Sequence, residues 1–82
     1  MKAEEMFKDC GWEKQEERLA YWKTDHNGRW CINFLLSFGE FHCYLVPKEE
    51  STIQYEAAFN MRELLAINQQ CIELGWLVRE TE

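Results

Sequence analysis

The sequence predicts an α+β fold, in which an antiparallel sheet of three to four strands runs as a meander with an N-terminal and a C-terminal helix packed on one face. Three observations carry this. Amphipathic patterns at helical spacing stand near both ends, and each closes on a Gly-Trp pair. An alternation of large apolar residues at every second position runs from Trp30 to Phe38. Tight-turn residues flank that alternation on both sides. A sheet with one apolar face must bury it, and the two amphipathic helices are the available cover.

The first helix covers residues 3–10. Ala3, Met6, Phe7 and Cys10 share one arc, and Glu4, Glu5, Lys8 and Asp9 lie outside it. Its acids sit near the N-terminus, where the helix dipole favours them. Lys8-Asp9-Cys10-Gly11-Trp12 and Ile72-Glu73-Leu74-Gly75-Trp76 end the two helices in the same way. Glycine just past a helix takes the left-handed conformation that closes the last turn, and the apolar residue after it folds back onto the helix. Gly11 and Gly75 are therefore the closing residues, with Trp12 and Trp76 as apolar locks.

The pattern is loose and charged from Trp12 onward, then tightens into a first strand around Leu19-Ala20-Tyr21-Trp22. Asp25-His26-Asn27-Gly28 follows, and Asn-Gly is a strong hairpin signal. In the next strand Trp30, Ile32, Phe34, Leu36 and Phe38 face the core, against Arg29, Cys31, Asn33, Leu35 and Ser37. A two-residue turn at Gly39-Glu40 would set Phe38 opposite Phe41, Leu36 opposite Cys43 and Phe34 opposite Leu45. Phe41, Cys43 and Leu45 then point inward and His42, Tyr44 and Val46 outward, until Pro47 ends the strand. Lys48–Ser51 reads as a loop and Thr52–Ala57 as a weak edge strand.

Helix two starts at an N-cap, Asn60, with Glu63 completing a capping box and Phe59 placed to staple onto Leu64. Its expected inner arc holds Met61, Leu64, Leu65, Ile67, Cys71, Ile72 and Leu74, with Arg62, Gln69, Gln70 and Glu73 opposite. Asn68 falls inside that arc. A buried amide needs partners, so Asn68 is the candidate buried polar residue, either satisfying backbone groups or serving as a polar handle in a pocket.

The 82 residues make one domain, 1–82, and 46% hydrophobic content with 4 Trp, 5 Phe and 3 Tyr supplies its core. Apolar runs are too short to cross a membrane, and the first residues lack the apolar stretch of a signal peptide, so a cytoplasmic protein is expected. Cys10, Cys31, Cys43 and Cys71 are scattered singly, which reads as buried free thiols and not as a zinc site. No cofactor is expected. The net charge of −6 disfavours direct nucleic-acid binding and suits a protein partner with a basic groove.

An enzyme is not expected. His26 and His42 should not converge, neither adjoins a nucleophile, and the paired carboxylates lie in solvated stretches. The sheet face away from the helices is the better candidate. It should present Leu35, Tyr44 and Val46, with Cys31, Asn33 and Ser37 among them. The first strand adds either Ala20 and Trp22 or Leu19 and Tyr21, depending on register. Trp22, Leu35, Tyr44 and Val46 are the candidate interface residues, because an uncovered patch of aromatic, aliphatic and small polar groups suits a binding surface.

Ala3-Glu4-Glu5-Met6-Phe7 with Gly11-Trp12-Glu13, and Glu63-Leu64-Leu65-Ala66-Ile67-Asn68-Gln69-Gln70 with Glu73-Leu74-Gly75-Trp76, resemble a group of small uncharacterised proteins of phages and prophages of Gram-positive bacteria. Those carry a similar N-terminal helix, a short run of strands and a C-terminal helix of the form ELxAINxQxxELGW. The resemblance covers about half the chain through helix and cap motifs. Trp12 here stands for the commoner Tyr, and 48–58 looks like a longer insertion. The resemblance implies a viral accessory protein in a bacterial host cell, of a kind that often binds and blocks host defence proteins such as CRISPR effectors. The expected function is thus a non-enzymatic inhibitor or modulator acting by protein–protein binding. The alternatives are a small-ligand or nucleotide sponge with a pocket around Asn68 and the tryptophans, or a structural homo-oligomer such as a homodimer.

Overall fold

A computed structural model describes residues 1–49 and 57–78. Helix α1 (Ala3–Asp9) is followed by four strands, β1 (Glu13–Lys14), β2 (Ala20–Asp25), β3 (Gly28–Leu35) and β4 (Glu40–Pro47), then helix α2 (Met61–Glu73). The strands form one antiparallel sheet in the order β1-β2-β3-β4. The fold is α+β, and both helices pack their buried residues against the same sheet face. The fourth strand is the short β1, inside the charged stretch after Trp12. The expected strand at Thr52–Ala57 lies outside the described residues except for Ala57, which is not in a strand.

Both helix ends close as the Gly-Trp repeat predicts. Gly11 has φ +89° and Gly75 φ +80°. The Trp12 N–H reaches back to the Phe7 carbonyl at 2.9 Å and the Gly11 N–H to Lys8 at 3.0 Å. At the other end the Trp76 N–H donates to Cys71 at 2.9 Å and the Gly75 N–H to Ile72 at 3.0 Å. These bonds satisfy carbonyls that the helix leaves without partners. The chain turned at Gly11 seats Trp12 in the core, at 4% exposure.

The core is built around Phe7, which stacks on Tyr21 with centroids 4.0 Å apart and meets Phe34 and Trp12 edge-on. Ile32, Ala66, Ile67 and Cys71 complete it, and Trp30, Cys43, Leu74 and Trp76 pack at its margin. Ala3, Met6, Phe7 and Cys10 face inward on α1, as their spacing requires. All four cysteines are free. Burial pushes the thiols of Cys43 and Cys71 upward, which keeps them protonated.

The first hairpin turns at the expected Asp25–Gly28, whereas the second differs from its expected turn. In the first, Asp25 pairs with Gly28, so His26-Asn27 forms the loop. Asp25 Oδ1 closes it by accepting the Asn27 N–H at 2.8 Å and the Gly28 N–H at 3.3 Å. In the second, Leu35 pairs with Glu40 and Phe34 with Phe41, leaving a four-residue loop, Leu36–Gly39. Leu36 and Phe38 are therefore not core residues; they are 62% and 74% exposed. The shift of register is even, so Phe41, Cys43 and Leu45 keep the core-facing side while His42, Tyr44 and Val46 keep the other.

Helix α2 has the expected capping box, with Asn60 Oδ1 accepting from the Glu63 N–H at 2.8 Å and Glu63 Oε1 from the Asn60 N–H at 3.0 Å. Its rotation is the main departure. The buried positions are Glu63, Ala66, Ile67, Gln70 and Cys71, one residue earlier than the expected arc, a turn of roughly 100°. Met61, Leu64 and Leu65 are exposed, and so is Asn68, which is not a buried polar residue. Polar groups elsewhere in the core draw Glu63 and Gln70 inward. The Trp12 indole N–H donates to Glu63 Oε2 at 2.6 Å, and the Tyr21 hydroxyl donates to Gln70 Oε1 at 2.6 Å. Phe59 stacks on Trp12, with ring centroids 6.3 Å apart. Beyond the helix, Leu77 and Val78 are exposed.

Candidate functional site: the open sheet face

The helices leave the second face of the sheet uncovered among the described residues. Trp22, Cys31 and Tyr44 stand opposite one another in a single row across β2, β3 and β4. Arg29 and Val46 form the next row with Thr24. The register settles the open choice for the first strand: Ala20 and Trp22 take this face and Tyr21 the core. Cys31 lies buried between the two aromatic residues, while Tyr44 and Val46 are 42% and 51% exposed.

The Trp22 ring is fixed on two sides. Its Nε1–H donates to Glu13 Oε2 at 3.0 Å, and the Arg29 guanidinium lies over its face, 4.3 Å from the centroid. A groove of about 520 Å³ lies over this row, with Gln15, Arg18, Val46 and Lys48 also in its lining. The 15–18 segment thus covers part of this face; Ala20, on the same side, is 1% exposed.

Of the four expected interface residues, Trp22, Tyr44 and Val46 line the groove together. Leu35 shares their face but pairs with Glu40 at the far end, with the Asn33–His42 row between it and Tyr44. Sequence reasoning did not single out the basic lining, which comes from Arg18, Arg29 and Lys48. The signal for Arg29 was legible, because it alternates with Trp30 on the outward side of the strand. Arg18 and Lys48 flank strands and carry no periodic signal.

A second cavity, about 240 Å³, opens at the end of the helix–sheet sandwich between Trp12, Trp30 and Phe59. Lys23, Asp25 and Glu63 also line it, and Lys23 Nζ sits 3.9 Å from Glu63 Oε2. Backbone donation from Asn27, helped by the Trp30 indole N–H, holds the exposed Asp25 carboxyl below its usual range. Asn68 does not line this cavity. His26 lies in the β2–β3 turn and His42 in β4 beside Glu40, 3.2 Å away, so the two do not converge. Among the described residues no cluster of three or more His, Cys, Asp or Glu is placed to hold a metal, and no helix is long and apolar enough to cross a membrane.

Compared with protein-family models, with curated proteins and with solved structures, the chain matches none.

Proposed function

We propose that the protein is a non-enzymatic binding module that docks on another protein through the open face of its sheet. The observation that carries this reading is the row Trp22–Cys31–Tyr44 with Val46 beside it, in which Tyr44 and Val46 are about half exposed and Trp22 partly so, on a face without helical cover among the described residues. Groups of this kind, with the polar rim that Glu13, Arg29 and Lys48 provide, are the usual make-up of a binding surface.

The resemblance of the two helices to phage and prophage proteins extends the proposal. The partner is a host protein in the bacterial cytoplasm, and binding inhibits or modulates it, with defence proteins such as CRISPR effectors as the candidate class. Acids at Glu13, Glu16 and Glu17, beside the open face, would meet basic surface on that partner.

The test compares wild-type protein with Tyr44→Glu as bait in a lysate of a Gram-positive host. A protein held by wild type and lost by the folded variant supports the reading. Equal capture by both baits, or a Tyr44→Glu chain that no longer folds, overturns it. A small-ligand sponge is the second reading, favoured by the aromatic cavity at Trp12, Trp30 and Phe59. A metabolite panel tests it, since a tight ligand raises the melting temperature by mass action.

A further inference from the structure

We propose that the groove on the open face takes a short, carboxylate-rich peptide segment of the partner protein. This rests on the reading of that face as a docking surface and adds the chemistry of what it holds. The chain carries a net charge of −6, yet Arg18, Arg29 and Lys48 all line this one groove. Lys14 and Lys23 are spent on Glu4 and Glu63, whereas these three make no ion pair among the described residues. Asp25 is the acid in the lining, and the N–H groups of Asn27, Gly28 and Trp30 hold it ionised, so three positive side chains stand against one negative. The groove is therefore a local positive site within an acidic molecule.

The make-up of its lining points to the kind of anion it would take. The cations come from three separate elements, Arg18 before β2, Arg29 in β3 and Lys48 after β4, and meet in this one lining. Trp22, Tyr44 and Val46 lie among them and suit apolar side chains interleaved with the acids. A long nucleic-acid strand fits poorly. Glu16 and Glu17 precede Arg18, Glu49 follows Lys48, and Glu40 stands at the far end of the face, all exposed, so any anion longer than the groove meets repulsion, which keeps the acidic peptide segment short as well.

The experiment titrates the purified protein with a short synthetic peptide alternating Glu or Asp with Leu or Val, following the side-chain NMR signals of Trp22 and Arg29. The peptide should bind and move both signals. Arg29→Glu and Arg18→Glu should each weaken it about tenfold, while Arg62→Glu on α2 leaves it unchanged. Raising salt should weaken it as well. Absence of binding, equal binding of the Lys-substituted peptide, tighter binding of oligothymidylate, or the same signals moved by inorganic phosphate alone would each overturn the proposal. The two readings fail separately. If the partner is lost by Tyr44→Glu but kept by Arg29→Glu, the face still docks and the acidic segment is wrong.

Discussion

Glu63 links the helix cap to the core. One carboxylate oxygen accepts the Asn60 N–H and the other the buried Trp12 indole N–H. Replacing it with Leu leaves both donors without an acceptor, and Glu63→Leu is expected to cost about 2–4 kcal/mol in chemical denaturation. Asn68 behaves differently, because its side chain is in solvent; Asn68→Leu should stay within about 0.5 kcal/mol of wild type. Tyr21 brings a pH dependence. Burial, aided by the charges of Glu4 and Glu73, pushes its phenol up to about 12. The folded state therefore holds the proton more tightly than the unfolded chain. Stability is complete below pH ~10 and falls as pH rises from there through ~12, by about 2–3 kcal/mol. Denaturation midpoints across that range should show the loss, and Tyr21→Phe should flatten it.

At the scale of the element, the β2–β3–β4 meander tolerates change at its loop and not at its root. Gly28 begins β3 with φ +143°, and a Cβ there would lie 2.2 Å from the Val46 carbonyl oxygen and 2.8 Å from the Lys48 N. Both are backbone atoms of the paired strand's end, so neither can swing aside. Gly28→Ala should cost about 3 kcal/mol or more and lower the melting temperature steeply. Phe34 and Phe38 make the complementary pair. Phe34 is buried among Phe7, Tyr21, Phe41 and Trp76, and Phe34→Ala should cost about 3–5 kcal/mol. Phe38 is in the exposed loop, and Phe38→Ser should move stability by no more than about 0.5 kcal/mol.

For the molecule as a whole, the helices and the sheet divide the work. The antiparallel α1–α2 pair closes the core: Glu73 at the end of α2 accepts the Ala3 N–H at the start of α1, 2.7 Å away, while Glu63 near the start of α2 holds Trp12 just past the end of α1. That leaves the opposite sheet face without helical cover among the described residues. Light scattering should find a monomer, with the partner and not a second copy covering the face. Partner binding should weaken as salt rises, since charged groups on both sides set the approach.

What the sequence determined by itself was local. The glycine closures, the Asn60–Glu63 capping box and the period-two alternation of β3 each depend on residues a few positions apart, so both helices and the faces of the strands were legible. Hairpin registers were less so, because a loop of two or four residues preserves the same alternation. The tertiary structure alone decided which way α2 turns. Counting apolar residues places Leu64 and Leu65 inside and Gln70 outside. The fold reverses this through bonds between residues 51 apart, Trp12 to Glu63, and 49 apart, Tyr21 to Gln70. The same holds for the open face. Arg18, Arg29 and Lys48 are separated along the chain and become one groove only when β2, β3 and β4 pair, because the pairing register decides which outward residues are neighbours.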